Sequence, residues 1–342
     1  MSHALEPRLA AYIAGRLPAA TDIAVTALER ISGGASRETY RFVLTWTEAG
    51  RANTRKLILR RDPPASLIDT ERRVEFEAYR AFRNSAVPVP EMLWLEEASD
   101  ALDHPFFVAE EIAGFQASPQ MLLSDAFDAV LPTVAERKWT ILGEIAKAEP
   151  AEVGLTPWME SPPLDACWRR ELDHWEALID KDQAEPLPVT RAAIRWLRAN
   201  PPPAAQKLSV VHGDYRTGNF LFDEAGEIHG ILDWEMSHLG DPLEDLGWSL
   251  QPVWSFGRAG KVGGLCDQAQ AVAIWERASG LKADPAALHW WILFNCVKGQ
   301  GIWVGSAAAF NRGGNRAPIM IYPAWWLINA QDRAMLQVMG RL

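Results

Sequence analysis

The sequence predicts an α+β fold of two lobes, an N-terminal antiparallel sheet with one inserted helix followed by a larger, mainly helical lobe. Three observations predict it. Five strand-like runs precede residue 113, with a single helical pattern among them. From about residue 118 the apolar spacing becomes helical. Within that helical region one stretch, Ser209 to Trp234, breaks into three short apolar runs separated by Gly, Asp and Asn, which reads as small strands joined by tight turns. The lobes are expected at 1–112 and 113–342.

Taken in order, residues 4–17 read as a short helix stopped by Pro18. Runs 23–31, 39–46 and 55–61 are rich in β-branched and aromatic residues and are expected as strands. The turn between the first two contains Gly33-Gly34, where backbone N–H groups can approach a phosphate closely. A helix follows over 66–84, begun by Pro63-Pro64 and a Ser66 cap. Val87-Pro88-Val89-Pro90 ends it, and strands at 91–95 and 106–112 complete the first lobe. Helices are then expected at 132–148, 164–179 and 189–198, with Pro201-Pro202-Pro203 stopping the last. Beyond Asp233 the pattern gives helices at 243–250, 265–279, 285–310 and 322–339. The most apolar stretch, 286–310, is interrupted by His289, Asn295, Lys298 and Gln300 and reads as a buried helix, not a membrane span. The 16 tryptophans are expected mainly in interhelix packing, with Trp254 and Trp303 as candidates to line an apolar pocket.

Bulk properties exclude several classes. The chain has 342 residues, 48% hydrophobic and 23% charged, an ordinary globular composition. Its formal net charge of −10 argues against nucleic acid and anionic membrane as partners. Cys167, Cys266 and Cys296 are far apart and lack metal-ligand spacing. They read as small buried hydrophobes of a reduced, cytoplasmic protein. The first residues do not form a secretory signal. Composition gives no oligomeric state.

The stretch 209–234 carries the chemistry. It reads SVVHGDYRTGNFLFDEAGEIHGILDW and sets His212, Asp214, Asn219 and Asp233 at strand ends and turns. Phosphoryl transfer needs a carboxylate to orient and deprotonate the acceptor, and oxygen ligands for the Mg²⁺ on the nucleotide phosphates. Asp214 suits the base, and Asn219 and Asp233 suit the metal ligands. An Asp followed five residues later by an Asn, with another Asp on a later strand, is a kinase catalytic-loop spacing.

HGDYRTGN followed by ILDWE resembles the motif pair of aminoglycoside phosphotransferases and choline-kinase-like enzymes. Gly240-Asp241-Pro242 through Asp245-Leu246 adds to the resemblance, as does V-P-V-P. Within this family the chain looks closest to the kinase domains associated with acyl-CoA dehydrogenases of families 10 and 11, over roughly residues 20–330. The resemblance implies a bilobal protein-kinase-like fold that uses ATP and Mg²⁺ to phosphorylate a small acceptor.

Carried over residue by residue, the resemblance makes the 32–39 turn a nucleotide-covering loop, with Ser36 the side chain at the phosphates. Where kinases place a phosphate-binding lysine, KLILRRDPP offers Arg60, which can clamp phosphate with a different donor geometry. Lys56 is the poorer alternative, two alternations away. Of Glu71, Glu75 and Glu77, the context V-E-F-E-A-Y favours Glu75 as the partner of Arg60. Glu110 and Ile112 are expected to meet adenine through their backbone. Arg216 is expected to neutralise transferring phosphate charge or pair with a carboxylate. His212, Asp241 and Asp245 are expected to hold the loop, and Glu235 to assist Asp233. Lys298, Arg312 and Arg316 are expected in the acceptor region, where they would capture an anionic group.

Three readings follow. The first is a kinase for a hydroxylated acyl acceptor, either a hydroxyacyl-CoA or a hydroxy acid. The second is an aminoglycoside, choline or sugar-amine kinase, which the scarcity of carboxylates after D-W-E disfavours. The third is a nucleotide-binding pseudokinase, supported by Arg60 alone.

Overall fold

The computed structural model describes residues 5–31, 38–62, 72–313 and 318–342. Ser36, Ser66, Glu71 and Arg316 lie outside the described residues. The chain divides into two compact units, one of residues 1–80 with 90–114 and one of residues 81–89 with 115–342.

The first unit is a five-stranded antiparallel sheet in the order β1-β2-β3-β5-β4, formed by β1 (Ala20–Ile31), β2 (Glu38–Glu48), β3 (Arg51–Arg61), β4 (Met92–Glu96) and β5 (Phe106–Glu110). Side chains alternate across each strand, so Tyr40, Phe42 and Leu44 of β2, Leu57 and Leu59 of β3, and Phe106 and Val108 of β5 share one face. Helix α1 (Leu5–Arg16) covers that face with Leu5, Leu9 and Ile13. Helix α2 (Arg72–Ala81) meets Phe107, which alternation turns the other way, through Phe76 and Tyr79. β1 starts three residues before its expected beginning. Two bulges let it run on, with Asp22 and Ala27 in left-handed backbone at the register shifts.

The second unit is built from helices. α3 (Pro119–Leu122), α4 (Leu131–Lys147), α5 (Cys167–Asp182) and α6 (Pro188–Ala199) precede four short strands. Those strands are β6 (Ser209–Val211), β7 (Phe220–Phe222), β8 (Ile228–Ile231) and β9 (His238–Gly240). Then come α7 (Leu243–Leu250), α8 (Gln268–Ser279), α9 (Pro285–Asn311) and α10 (Pro318–Val338). α9 is apolar all round because it is enclosed: Trp290, Trp291, Leu293, Phe294, Cys296 and Val297 are all buried. Among the described residues no helix is long and apolar enough to cross a membrane.

Most of the described tryptophans follow the packing expectation, but Trp158 and Trp196 are exposed and α10 carries the clearest departure. Trp139, Trp234, Trp248, Trp275, Trp290 and Trp291 are among the largest fully buried side chains. Trp325 and Trp326 are instead 75% and 61% exposed on α10, beside exposed Tyr322. All three cysteines are free and buried.

Candidate active site

Two small ladders create the loop that carries Asp214. β6 pairs antiparallel with β9, and β7 with β8. The chain leaves β6 at Val211, makes the loop 212–219, and enters β7 at Phe220. Because Phe220 pairs with Ile231, the hairpin returns Asp233 beside Asn219, and the Leu232 N–H donates to the Asn219 carbonyl at 2.8 Å. Gly213 and Gly218 in the loop and Asp233 after the hairpin have positive φ. Gly213 has φ +85°, and a Cβ there would lie 2.4 Å from the Met236 carbonyl oxygen, so glycine is required. Asp233 has φ 69° without being glycine, a conformation that Asp tolerates better than most residues.

The loop is held from beneath by α7. Asp245 accepts from the backbone N–H of His212 at 2.6 Å and of Gly213 at 2.9 Å. Burial pushes its carboxyl up to about 6, against the pull of those two donors. Asp241 caps the start of α7 at Leu243 N (2.9 Å) and accepts from Trp291 Nε1 (3.1 Å). His212 is fully buried, and burial lowers it to about 4, so the ring is neutral. Its Nδ1 accepts from the Asp214 N–H at 3.2 Å, which leaves Nε2–H to donate to the Leu232 carbonyl at 2.9 Å. That single tautomer joins the two ends of the loop. Behind it Tyr215 donates to the Lys138 carbonyl, and the buried Lys138 ammonium lies 3.9 Å from the Trp139 ring centre. Burial brings Lys138 down to about 7.

Asp214 collects three side-chain donors. Arg216 Nε (3.1 Å) and Trp248 Nε1 (2.9 Å) reach Oδ1, and Asn219 Nδ2 (2.7 Å) reaches Oδ2. Asn219 Nδ2 also donates to the Asp214 carbonyl at 2.8 Å, so its Oδ1 is the amide atom left to face a cation. Burial raises the Asp214 carboxyl above the ordinary carboxylate range. Arg216 opposes that rise and Asp233 adds to it. A half-buried carboxylate of raised basicity beside two hard-oxygen residues is a donor set suited to Mg²⁺ and to proton abstraction.

In the first unit, Arg60 Nη1 lies 2.7 Å from Glu75 Oε1, and Glu75 is fully buried. Arg72 stands near the same carboxylate at 3.7 Å. Lys56 is exposed. At the end of β5 the Glu110 N–H is taken by the Glu91 carbonyl (2.8 Å) and the Glu111 N–H by the Lys56 carbonyl (3.0 Å). Sheet pairing therefore consumes the Glu110 donor, while Ile112 stands beyond the strand.

Of the three basic residues expected in the acceptor region, Arg316 lies outside the described residues, and Lys298 and Arg312 are each held by a separate carboxylate. Lys298 is 1% exposed, and its ammonium lies 3.0 Å from Glu244 Oε1, under the rings of Trp175 and Trp248. The inward turn of Lys298 follows from Glu244, a buried carboxylate that needs a cation. Arg312 is exposed and pairs with Asp182 at 2.6 Å.

Sequence reasoning also missed the network around Glu244. His238 Nε2 lies 3.0 Å from Glu244 Oε2 and 3.6 Å from Glu171 Oε1, and its Nδ1 faces the Met236 carbonyl. Glu171, His238 and Glu244 bring ligand-type atoms within 4.8 Å of one another. Lys298 and Arg170 already supply the positive charge, so this is an ion-pair network. Burial alone would lower His238, but Glu171 and Glu244 outweigh it and hold the ring protonated to about 9. A pKa raised above the ordinary 6.5 contributes stability that is complete below 6.5 and lost as pH climbs through 9. The unfolding midpoint should therefore fall across that window by a few degrees, on the order of 2 kcal/mol. Thermal scans of His238→Gln should show a flatter profile there. An unchanged slope would remove His238 as its source.

The family model described as the phosphotransferase enzyme family matches residues 27–291. Acyl-CoA dehydrogenase family member 10 of Mus musculus is 27% identical over 203 residues, covering 58% of this chain and 18% of that protein. The chain thus spans about a fifth of that relative's length. A candidate aminoglycoside phosphotransferase from Ralstonia eutropha JMP134 has a similar structure, with TM-score 0.74, 18% identity and 98% of each chain covered. Aminoglycoside phosphotransferase APH(4)-Ia, as a thermostable mutant with ADP and hygromycin B, gives TM-score 0.58 at 18% identity, with 95% and 98% covered. These likenesses establish a shared kinase-like fold.

Proposed function

This chain belongs to the phosphotransferase enzyme family, and we propose that it transfers the γ-phosphate of ATP to a hydroxyl of a small acceptor. The observation that carries the reading is the clamped Asp214. It is half-buried, with its carboxyl raised by desolvation, and its Oδ1 is occupied by two donors while Oδ2 faces one. In the proposed reaction Asp214 Oδ2 takes the proton of the acceptor hydroxyl as that oxygen bonds to the γ-phosphorus. The bond from that phosphorus to the β,γ-bridging oxygen breaks, and ADP leaves. Asn219 Oδ1 and the Asp233 carboxylate are the groups that would hold Mg²⁺, and the bound metal offsets charge on the phosphates. Arg60, oriented by Glu75, is assigned to the phosphates in place of a lysine. Arg216 steers the charge at Oδ1 and stands ready for the transferring group. Ser36 and the backbone at Ile112 complete the nucleotide contacts in this reading.

For the acceptor we propose a hydroxyacyl-CoA or hydroxy acid. Its support is the likeness to acyl-CoA dehydrogenase family member 10, together with the pairing of Asp182 to Arg312, which leaves that carboxylate no demand for a polycation. The test is ATP consumption with Mg²⁺ across hydroxyacyl-CoAs, hydroxy acids, aminoglycosides, choline and sugar amines. Turnover confined to the acyl hydroxyls supports the assignment, and turnover confined to the amines overturns it. Metal-dependent ATP binding with no turnover on any member would favour a binding protein.

A further inference from the structure

We propose that Trp248 is the positioning residue for Asp214, fixing which carboxylate oxygen faces the acceptor, and that Lys298 strengthens its grip. The inference rests on the reading of Asp214 as base and extends it to two residues outside the motifs.

Trp248 lies on α7, 1% exposed, with its Nε1–H donating to Asp214 Oδ1 at 2.9 Å. Together with Arg216 Nε, also on Oδ1, it leaves Oδ2 as the oxygen with fewer donors. The indole is held on both sides. Lys298 Nζ stands 5.2 Å from its ring centre, and Trp254 packs edge-on at 5.5 Å. Arg216 in turn lies 5.1 Å over the Trp254 ring, so both donors to Oδ1 are linked through one aromatic pair. A cation over an indole face withdraws electron density from the ring and makes its N–H a stronger donor. Lys298 cannot drift away, because Glu244 Oε1 holds its ammonium at 3.0 Å. Filling space on α7 would require only a large apolar ring. The nitrogen aimed at the carboxylate is the part that packing leaves unexplained.

The experiment uses the full chain labelled with ¹⁵N at the tryptophan indoles, and Mg·ATP hydrolysis with water standing in for the acceptor. Trp248→Phe keeps a ring and removes the donor. One indole N–H resonance should vanish in that variant, and the same resonance should move in Asp214→Asn. Hydrolysis should fall about tenfold. The KM for ATP should stay as it is. A merely structural Trp248 would disturb the KM for ATP along with the rate, and its indole resonance would not answer to Asp214→Asn. If Trp248→Phe keeps its rate while Asp214→Asn is inactive, the positioning role is wrong and the base assignment stands. If Asp214→Asn is fully active, the base assignment itself fails. Should Trp248→Phe not fold, the Asp214→Asn spectrum decides: an indole resonance that moves supports the proposal, and none moving overturns it.

Discussion

Asp214→Ala should lose phosphoryl transfer by about 10²–10⁴-fold and keep its affinity for Mg·ATP. The reason is local. Asp214 meets the loop through Asn219, Arg216 and Trp248, while the loop itself hangs on Asp245 and His212. Removing the Asp214 carboxylate therefore deletes the proton acceptor and leaves the anchor of the loop intact. Asp214→Asn should be equally inactive, because its amide oxygen can still accept hydrogen bonds but cannot take the proton. Calorimetric titration with Mg·ATP and a turnover assay on the same preparation check both halves. Full activity in either variant would end the assignment of Asp214 as base. The raised carboxyl adds a pH signature. Activity should be lost on acidification at a pH above the ordinary carboxylate value of 3.8, because the proton then occupies the oxygen that must receive one.

Asp233→Asn should lose Mg²⁺-dependent nucleotide binding by on the order of 10²-fold or more, since a ligand to the metal contributes several kcal/mol. Asparagine is the informative change here. The position has φ 69°, which Asn tolerates, whereas Ala would add backbone strain to the loss of charge. ATP titrations with and without Mg²⁺ separate the two effects. Wild type should bind more tightly with the metal, and the variant should show no such difference. An undiminished metal effect in Asp233→Asn would remove Asp233 from the metal site.

Much of the fold was legible because its signals are local. Alternation at Tyr40, Phe42 and Leu44 announces a strand with one buried face, and Pro18, Pro88 and Pro201 punctuate the elements at short range. The loop of the candidate site was legible for the same reason. His212, Asp214, Asn219 and Asp233 lie within 22 residues, and the short strands between them fix their order. What escaped depends on pairing at a distance. Lys298 interrupts an apolar helix, and read alone it looks like a cleft residue. Only Glu244, 54 positions earlier, turns it into the core. Trp248 reaches Asp214 across 34 positions, and nothing around it distinguishes it from the other packing tryptophans. β9 is three residues long, too short for periodicity to mark, yet it closes the ladder with β6. Trp325 and Trp326 failed in the opposite direction, since bulk and apolarity led them to be expected in the core.

The central claim is that Asn219 and Asp233 hold the metal of a bound nucleotide beside Asp214. Its most direct test replaces Mg²⁺ with paramagnetic Mn²⁺ and follows ¹⁵N-labelled protein in the presence of ADP. The predicted result is nucleotide-dependent broadening that begins with the Asn219 side-chain amide and the Trp248 indole and disappears in Asp233→Asn. Broadening centred elsewhere, or equally strong in Asp233→Asn, would contradict the account.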